Sequence, residues 1–262
     1  MTTIRPIAEA NRWHLMWREH GPNTYPIDLD QLVNEAINDS SGGDKLTFAE
    51  DRFDNNDFQG MFRKRARNDY VAILNSSIKS VGRKNFTKAH ELFHFLGHRK
   101  ISDQIICGLS NLSDYDEDKL EVEANSFASH LLLPPDKIRP YNNFDYTYDS
   151  VRELADKLGA SVAAVAYKLL QFSGTKKIAF LQSRDGHVLK GYSSDSAYKR
   201  GIYFKSGQEL SINCLTAKAH NGGNEHYSEF PTGVWHPKLC GKEYVHKTVY
   251  EDFTYTFLTF YE

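Results

Sequence analysis

The chain has 262 residues, a formal net charge of −2 and a sequence pI near 6.6, which exclude a global electrostatic attraction to nucleic acid or acidic lipid. Hydrophobic residues make up 40% and charged residues 25%, so the composition excludes a disordered chain and suits one large domain or two to three small ones. Aromatic residues, at 13%, indicate aromatic-rich cores and β structure.

The N-terminal part of the chain shows helix patterns followed by strand patterns. Apolar residues at helical spacing predict helices over residues 6–20 and within 26–37, and the polar stretch 38–58 predicts a loop. The segments QGMFRKR at 59–65 and DYVAILNS at 69–76 predict two strands of a hairpin.

Two longer helices are predicted next, at about 81–97 and 116–133, because each segment has apolar residues three or four positions apart. The apolar stripes are Phe86, Ala89, Phe93 and Leu96 in the first helix, and Leu120, Ala124, Phe127 and Leu131 in the second. Pro134-Pro135 ends the second helix.

In the C-terminal part, the residue pattern changes from one typical of helices to one typical of strands. Residues 148–172 predict two short helices with Gly159 at the turn, and Asp185-Gly186 predicts a hairpin turn between strands. The strand-like segments are 176–183, 187–194, 208–215, 242–251 and 253–262. These patterns predict three domains: 1–140, a short helix-turn-helix-like extension at 141–175, and a mostly-β domain at 176–262.

The first long helix carries the motif His90-Glu91-Leu92-Phe93-His94, which has the HExxH form. His90 and His94 lie one helical turn apart on the same face, so their imidazoles can bind a single Zn²⁺. Glu91 is placed to take a proton from a water at that ion, which predicts Glu91 as the catalytic base of a peptidase.

A zinc hydrolase needs a third protein ligand, and several residues compete for this role. His98 lies two turns, about 12 Å, from His90 along one helix, which is too far for a shared ion. The HExxHxxGxxH pattern would require a histidine where the chain has Lys100, and a cationic lysine is no ligand. Glu121 and Glu123 of the next helix remain.

Glu121 is favoured over Glu123 because Asn125 lies four residues further on the same helical face. In this arrangement Glu121 gives a carboxylate to the metal and Asn125 gives an amide that orients a ligating histidine from outside the ligand sphere.

The segments FTKAHELFHFLGH at 86–98 and EVEANSFASHLLLPP at 121–135 resemble the ImmA/IrrE-type metallopeptidases. The strand YVAILNSS at 70–77 and the segment PIDLDQLV at 26–33 also fit, so the resemblance covers about residues 20–175. It implies an α+β fold in which residues 1–140 form a zincin-like metallopeptidase domain. The chain departs from the family at Phe93, where glycine is common.

The resemblance also implies a site and a substrate. The implied zinc ligands are His90, His94 and Glu121, with Glu91 as catalytic base and no other cofactor. The implied substrate is a helix-turn-helix repressor of the Xre type, which is cleaved to release transcription of stress or mobile-element genes. The strand at 70–76 is expected beside the metal helix; if it is the sheet edge, an extended substrate could pair with it. Residues 176–262 inherit no assignment, and a sensory or a substrate-contacting role are the alternatives.

Two other functions compete with the peptidase. The first is a non-catalytic regulator that uses the same cleft to hold a repressor. The second is a DNA-binding regulator that uses residues 149–172, but the second helix there offers only Lys168 and Gln171 to read bases. We therefore expect no direct nucleic-acid binding.

The expected compartment is the cytoplasm. No stretch approaches the 18 apolar residues of a membrane span, and charges interrupt the N-terminal segment, which argues against a secretory signal. The three cysteines, Cys107, Cys214 and Cys240, form no CxxC pair, so free thiols in a reducing compartment are predicted.

Overall fold

The computed structural model describes residues 4–39, 43–54, 58–108, 115–141, 143, 145–220, 226–248 and 253–261, with the side chains of 58 and 115–118 left out. The described chain contains helices and two β-sheets, which confirms the predicted α+β class. None of its helices combines the length and the apolar character needed to cross a bilayer.

The helices have the following bounds: α1 Pro6–His20, α2 Leu29–Val33, α3 Val81–Phe93, α4 Tyr115–Leu132, α5 Pro135–Ile138, α6 Tyr148–Leu158, α7 Val162–Gln171, α8 Asp195–Tyr198 and α9 Leu215–His220. Helix α2 continues as a π-helical turn at Asn34–Asn38, and α3 continues as another at His94–His98.

The strands are β1 Lys45–Asp51, β2 Phe58–Ala66, β3 Asp69–Asn75, β4 Gln104–Gly108, β5 Lys177–Arg184, β6 His187–Ser193, β7 Tyr227–Phe230, β8 Cys240–Lys247 and β9 Thr254–Tyr261. They form a four-stranded sheet of order β1-β3-β2-β4 and a five-stranded sheet of order β6-β5-β9-β8-β7.

The chain divides into two compact units, residues 1–135 with 155–161, and residues 136–154 with 162–262. The three-domain division at 140/141 and 175/176 stays a prediction.

The first unit has a mixed sheet with helices. The predicted hairpin is confirmed, because β2 pairs antiparallel with β3 and the turn between them has Asn68 at a positive φ of 60°. The predicted loop at 38–58 is partly wrong, because β1 lies inside it and pairs parallel with β3. Strand β3, the hydrogen-bonding partner of β1, is more than twenty residues away in the sequence. The polar composition around β1 therefore predicts a loop, although the segment forms a strand.

The edge strands of this sheet are β1 and β4 in the described part of the chain, and β3 lies between β1 and β2. The idea that residues 70–76 form an edge for substrate pairing is therefore wrong. β4 pairs antiparallel with β2, and a register shift at Gln59 lies opposite Cys107 and Gly108. A bulge of this kind turns side chains at the end of a strand, often beside a functional site.

The core of the first unit holds α3 and α4 in place. Phe93 is fully buried and its ring packs against Phe127 of α4 at a centroid distance of 5.1 Å. Burying one such side chain stabilises the fold by roughly 1.5–3 kcal/mol. Phe93, the departure from the family pattern, is therefore a core residue.

The second unit has an antiparallel sheet with its own cluster of buried apolar residues, which includes Leu181, Leu258 and Phe260. The predicted turn at Asp185-Gly186 is confirmed by positive φ at both positions. The predicted strand at 208–215 is wrong, because this segment is irregular apart from an isolated bridge at Glu209 and a turn at 212–213, and α9 begins at Leu215. Part of the predicted strand at 242–251 lies outside the described residues.

Candidate metal centre

Helix α3 brings the motif residues to one place. Ser80 caps its N-terminus by accepting a hydrogen bond from the Arg83 amide, and the helix then runs without interruption through His90. The helix widens into the π-helical turn at His94, a form that is frequent at functional sites. Ala89 and Phe93 lie in the core, while His90 and His94 lie on the adjoining side, which faces α4.

The predicted ligands are brought together. His90 Nε2 lies 3.3 Å from one carboxylate oxygen of Glu121, and His94 Nε2 lies 3.3 Å from the other. The two Nε2 atoms are 2.9 Å apart. Cys107 joins them from β4, and one ligand atom from each of these four residues lies within 4.8 Å of the others. The local sequence pattern does not predict Cys107 as a site residue, since β4 reaches the cluster only through its pairing with the distant strand β2.

Asn125 lies where it was predicted, beside His90. Its amide Oδ1 is 3.1 Å from His90 Nδ1. An amide oxygen only accepts, so His90 Nδ1–H donates, and Nε2 is the ring nitrogen that faces Glu121.

His94 is oriented by His98 and Glu123, two residues that the sequence suggested only as possible third ligands. His98 Nε2 lies 3.2 Å from a carboxylate oxygen of Glu123, and His98 Nδ1 lies 2.8 Å from His94 Nδ1. The carboxylate only accepts, so His98 Nε2–H donates to it and His98 Nδ1 accepts. His94 Nδ1–H is then the donor, and His94 Nε2 keeps its lone pair. The four-residue spacing of His90, His94 and His98 was the available signal for this chain of bonds.

The structure thus distinguishes the two acidic residues that were candidates for the third metal ligand. Glu121 contacts both histidine Nε2 atoms, whereas Glu123 contacts His98 behind them.

Glu91 is fully buried, and neither of its carboxylate oxygens has a hydrogen-bond partner among the described residues. A methyl group added at Gly60 of β2 would lie 2.6 Å from Glu91 Oε1 and 2.7 Å from Thr87 Cγ2. Gly60 therefore makes room for the carboxylate. Burial raises the pKa of Glu91 to about 7, against the opposing charge of His90.

The electrostatics of the two histidines differ. Burial and the positive charge of His90 lower the pKa of His94 to about 4, even though Glu121 favours its charged form. Burial also disfavours charge on His90, but the bond to Glu121 and the charge of Glu91 raise the pKa of His90 above its ordinary value. Burial is the largest influence on the Cys107 thiol too, and raises its pKa well above the ordinary value.

These residues fit a divalent cation. In a tetrahedral site with metal–nitrogen and metal–oxygen distances of about 2.0–2.1 Å, neighbouring ligand atoms are about 3.3 Å apart, which matches the two histidine–Glu121 separations. Two Nε2 lone pairs at 2.9 Å repel each other unless a proton or a cation lies between them. The buried carboxylate of Glu91, which has no hydrogen-bond partner among the described residues, would likewise be stabilised by a nearby cation or by a hydrogen-bond donor.

Comparison with known proteins agrees with this geometry. Residues 51–170, which run from the end of β1 to α7 and contain the whole cluster, match the family model Peptidase M78, described as an IrrE N-terminal-like domain. A protein of Bacillus phage phi105, titled "Uncharacterized immunity region protein 2", is 32% identical over 95 residues. The alignment covers 36% of this chain and 57% of that protein, so the chain spans somewhat more than half the length of this relative.

A Mycobacterium tuberculosis transcriptional regulator of solved structure matches with a TM-score of 0.53 and 16% identity, covering 98% of this chain and 76% of that chain. At this identity the likeness concerns the fold alone. The family match confirms the resemblance predicted from the two helix motifs and supports a metal-dependent peptidase at the level of the family. Residues 51–170, a little under half of the chain, are therefore similar to the IrrE N-terminal-like domain of the Peptidase M78 family.

Proposed function

We propose that this protein is a zinc-dependent endopeptidase. The observation that carries the proposal is the unpaired, fully buried carboxylate of Glu91 beside the converging ligand atoms of His90, His94 and Glu121. Two imidazoles and one carboxylate are a donor set that zinc hydrolases use, and they favour zinc over magnesium or calcium.

Each residue has a defined task in the proposed reaction. His90, His94 and Glu121 would hold the ion, which supplies polarisation of a peptide carbonyl and acidification of a water. Glu91 takes the proton of the attacking water and delivers it to the leaving amine. Asn125 and His98 keep both histidine rings in the tautomer that turns Nε2 toward the site. An extended substrate segment would lie along β4, because Cys107 brings this strand to the cluster.

We propose a helix-turn-helix repressor of the Xre type as the substrate, cleaved in the cytoplasm to release stress or mobile-element genes. Support comes from the family match and from the phage relative, whose title places it in an immunity region. The three free cysteines agree with a reducing compartment.

A direct role in DNA binding is not part of the proposal. Lys168, one of only two side chains that α7 offered for base contacts, is 2% exposed and cannot reach a groove. The remaining competitor is a non-catalytic protein that holds the repressor without cutting it.

The test is to incubate the protein with a repressor encoded beside its gene and to read the products by mass spectrometry, with and without a chelator. We expect Glu91→Gln to keep its fold and its zinc while losing cleavage by roughly 10²–10⁴-fold, since the base is gone. The matched control is Glu153→Gln, at an exposed site on α6, which should cleave normally.

Three results would contradict the proposal. Cleavage by Glu91→Gln at the parental rate would reject the base, and cleavage unaffected by the chelator would reject the metal. A protein that binds zinc and the repressor but leaves the repressor intact, both as wild type and as Cys107→Ala, would identify the non-catalytic regulator.

A further inference from the structure

Cys107 has a position that the proposed reaction does not use. It lies on β4 and is 4% exposed. Its Sγ is 3.4 Å from His94 Nε2, and its thiol points at Glu121 Oε1 at 3.6 Å. The sulphur therefore contacts two of the three proposed zinc ligands directly.

The separations match those of ligands in one coordination sphere. With a metal–sulphur distance of about 2.3 Å and metal–nitrogen or metal–oxygen distances of about 2.0–2.1 Å, tetrahedral geometry places sulphur about 3.5 Å from the other ligand atoms. The observed distances of 3.4 Å to His94 and 3.6 Å to Glu121 lie on either side of this value. The sulphur therefore lies at ligand distance from both residues, on the side of β4 that faces the cluster.

The sheet supports this placement. Cys107 pairs with Gly60 of β2, next to the register shift at Gln59, and Gly60 is the residue whose missing side chain makes room for Glu91. The bulge and the glycine together let the edge strand bring its sulphur to the same side of the sheet as the Glu91 carboxylate.

We propose that Cys107 is a fourth protein ligand of the metal and that it holds the peptidase in a latent, coordinatively closed state. This inference rests on the zinc site of the proposed function. On coordination the S–H bond breaks, a sulphur–metal bond forms and the proton leaves to solvent. Four protein ligands leave a tetrahedral ion no open position, whereas hydrolytic sites keep one. The sulphur must therefore withdraw before a substrate carbonyl can reach the ion.

The experiment replaces zinc with Co²⁺ in the full-length protein and records its absorption spectrum. A thiolate bound to Co²⁺ gives an intense charge-transfer band in the near ultraviolet, while nitrogen and oxygen ligands give only weaker visible bands. We expect the intense band in the wild-type protein and its loss in Cys107→Ala, which keeps the visible bands. The matched control is Cys214→Ala, which removes another buried thiol and should keep the intense band.

A variant that retains Cys107 as its only thiol, Cys214→Ala with Cys240→Ala, decides the matter if Cys107→Ala does not fold. Retention of the intense band in this variant assigns it to Cys107, and its loss overturns the inference. Visible bands without the intense band in the wild-type protein overturn the inference and leave the proposed zinc site standing. A wild-type protein that binds no Co²⁺ overturns both.

Latency has its own readout. In the repressor cleavage assay we expect Cys107→Ala to cut several-fold faster than the wild-type protein, because the fourth position is open from the start. A rate equal to or below that of the wild-type protein, with the intense band present in the wild-type protein, overturns the latent state and leaves the sulphur as a ligand.

Discussion

At the scale of single residues, the two histidines of the HExxH motif are positioned by different partners. His90 donates to Asn125, while His94 donates to His98, which in turn donates to Glu123. The carboxylate at the end of the second chain of bonds decides which nitrogen of each ring carries a proton. Burial lowers the pKa of His98, which keeps its ring neutral and Nδ1 able to accept.

His98→Ala should therefore weaken zinc binding without removing a ligand. His94 Nδ1–H loses its acceptor, and the loss of such an outer partner typically costs about 10–100-fold in metal affinity. Competition with a chelating dye measures the affinity, and His98→Gln, whose amide oxygen can accept, should recover part of it. The control is His20→Ala at an exposed position of α1. A parental affinity in His98→Ala would show that His98 does not position His94.

At the scale of secondary-structure elements, α7 has the position of the DNA-recognition helix in a helix-turn-helix pattern, but its residues are largely buried. Val165 and Leu169 are fully buried, and Lys168 between them is almost fully buried as well. Burial disfavours the charged form and lowers the pKa of Lys168 from its ordinary value of 10.5. Among the described residues no hydrogen bond or ion pair to Lys168 offsets this cost.

Lys168→Met should therefore raise the free energy of unfolding at pH 7, by on the order of 1 kcal/mol. In the wild-type protein the unfolded chain binds the extra proton between the lowered folded pKa and 10.5, so stability from this group rises with pH across that alkaline window. The variant should lose that rise. Urea unfolding at pH 7 and pH 10 measures both effects, with Lys218→Met on α9 as an exposed control. Equal pH dependence in wild type and Lys168→Met would refute the assignment.

At the scale of the whole molecule, every proposed ligand belongs to one of the two compact units. His90, His94, Cys107 and Glu121 all lie within residues 1–135. The free energy of binding a metal there adds to the stability of the elements that carry the ligands, because an ion that binds only the folded state stabilises that state.

Addition of zinc to metal-depleted protein should therefore slow amide hydrogen exchange in α3 and α4. At a free zinc concentration one hundred times the dissociation constant, the gain is about 2.7 kcal/mol. Amides of β5 and β9, which carry no ligand, are the internal reference and should exchange at unchanged rates. Equal protection of β5, β9, α3 and α4 would show that zinc acts somewhere other than the proposed site.

The local sequence pattern was sufficient to predict those elements whose own residues determine which face is buried or how the chain turns. Helices α3 and α4, the β2–β3 hairpin and the Asp185-Gly186 turn follow from helical spacing, from strand alternation and from residues that tolerate positive φ. The motif spacing likewise selected His90 and His94 on one helix, and Glu121 and Asn125 on the next, as candidates that the structure brings together, since positions four apart on a helix share a face.

Tertiary pairing alone decided the rest. Strands β1 and β4 obtain their hydrogen bonds from partners distant in sequence, so their own residue pattern does not predict them. The same long-range pairing brings Cys107 to His94, leaves space at Gly60 for Glu91 and places Glu123 behind His98. A residue's type and spacing determine what chemistry it can do, but which residue lies across from it depends on how the sheet and helices pack.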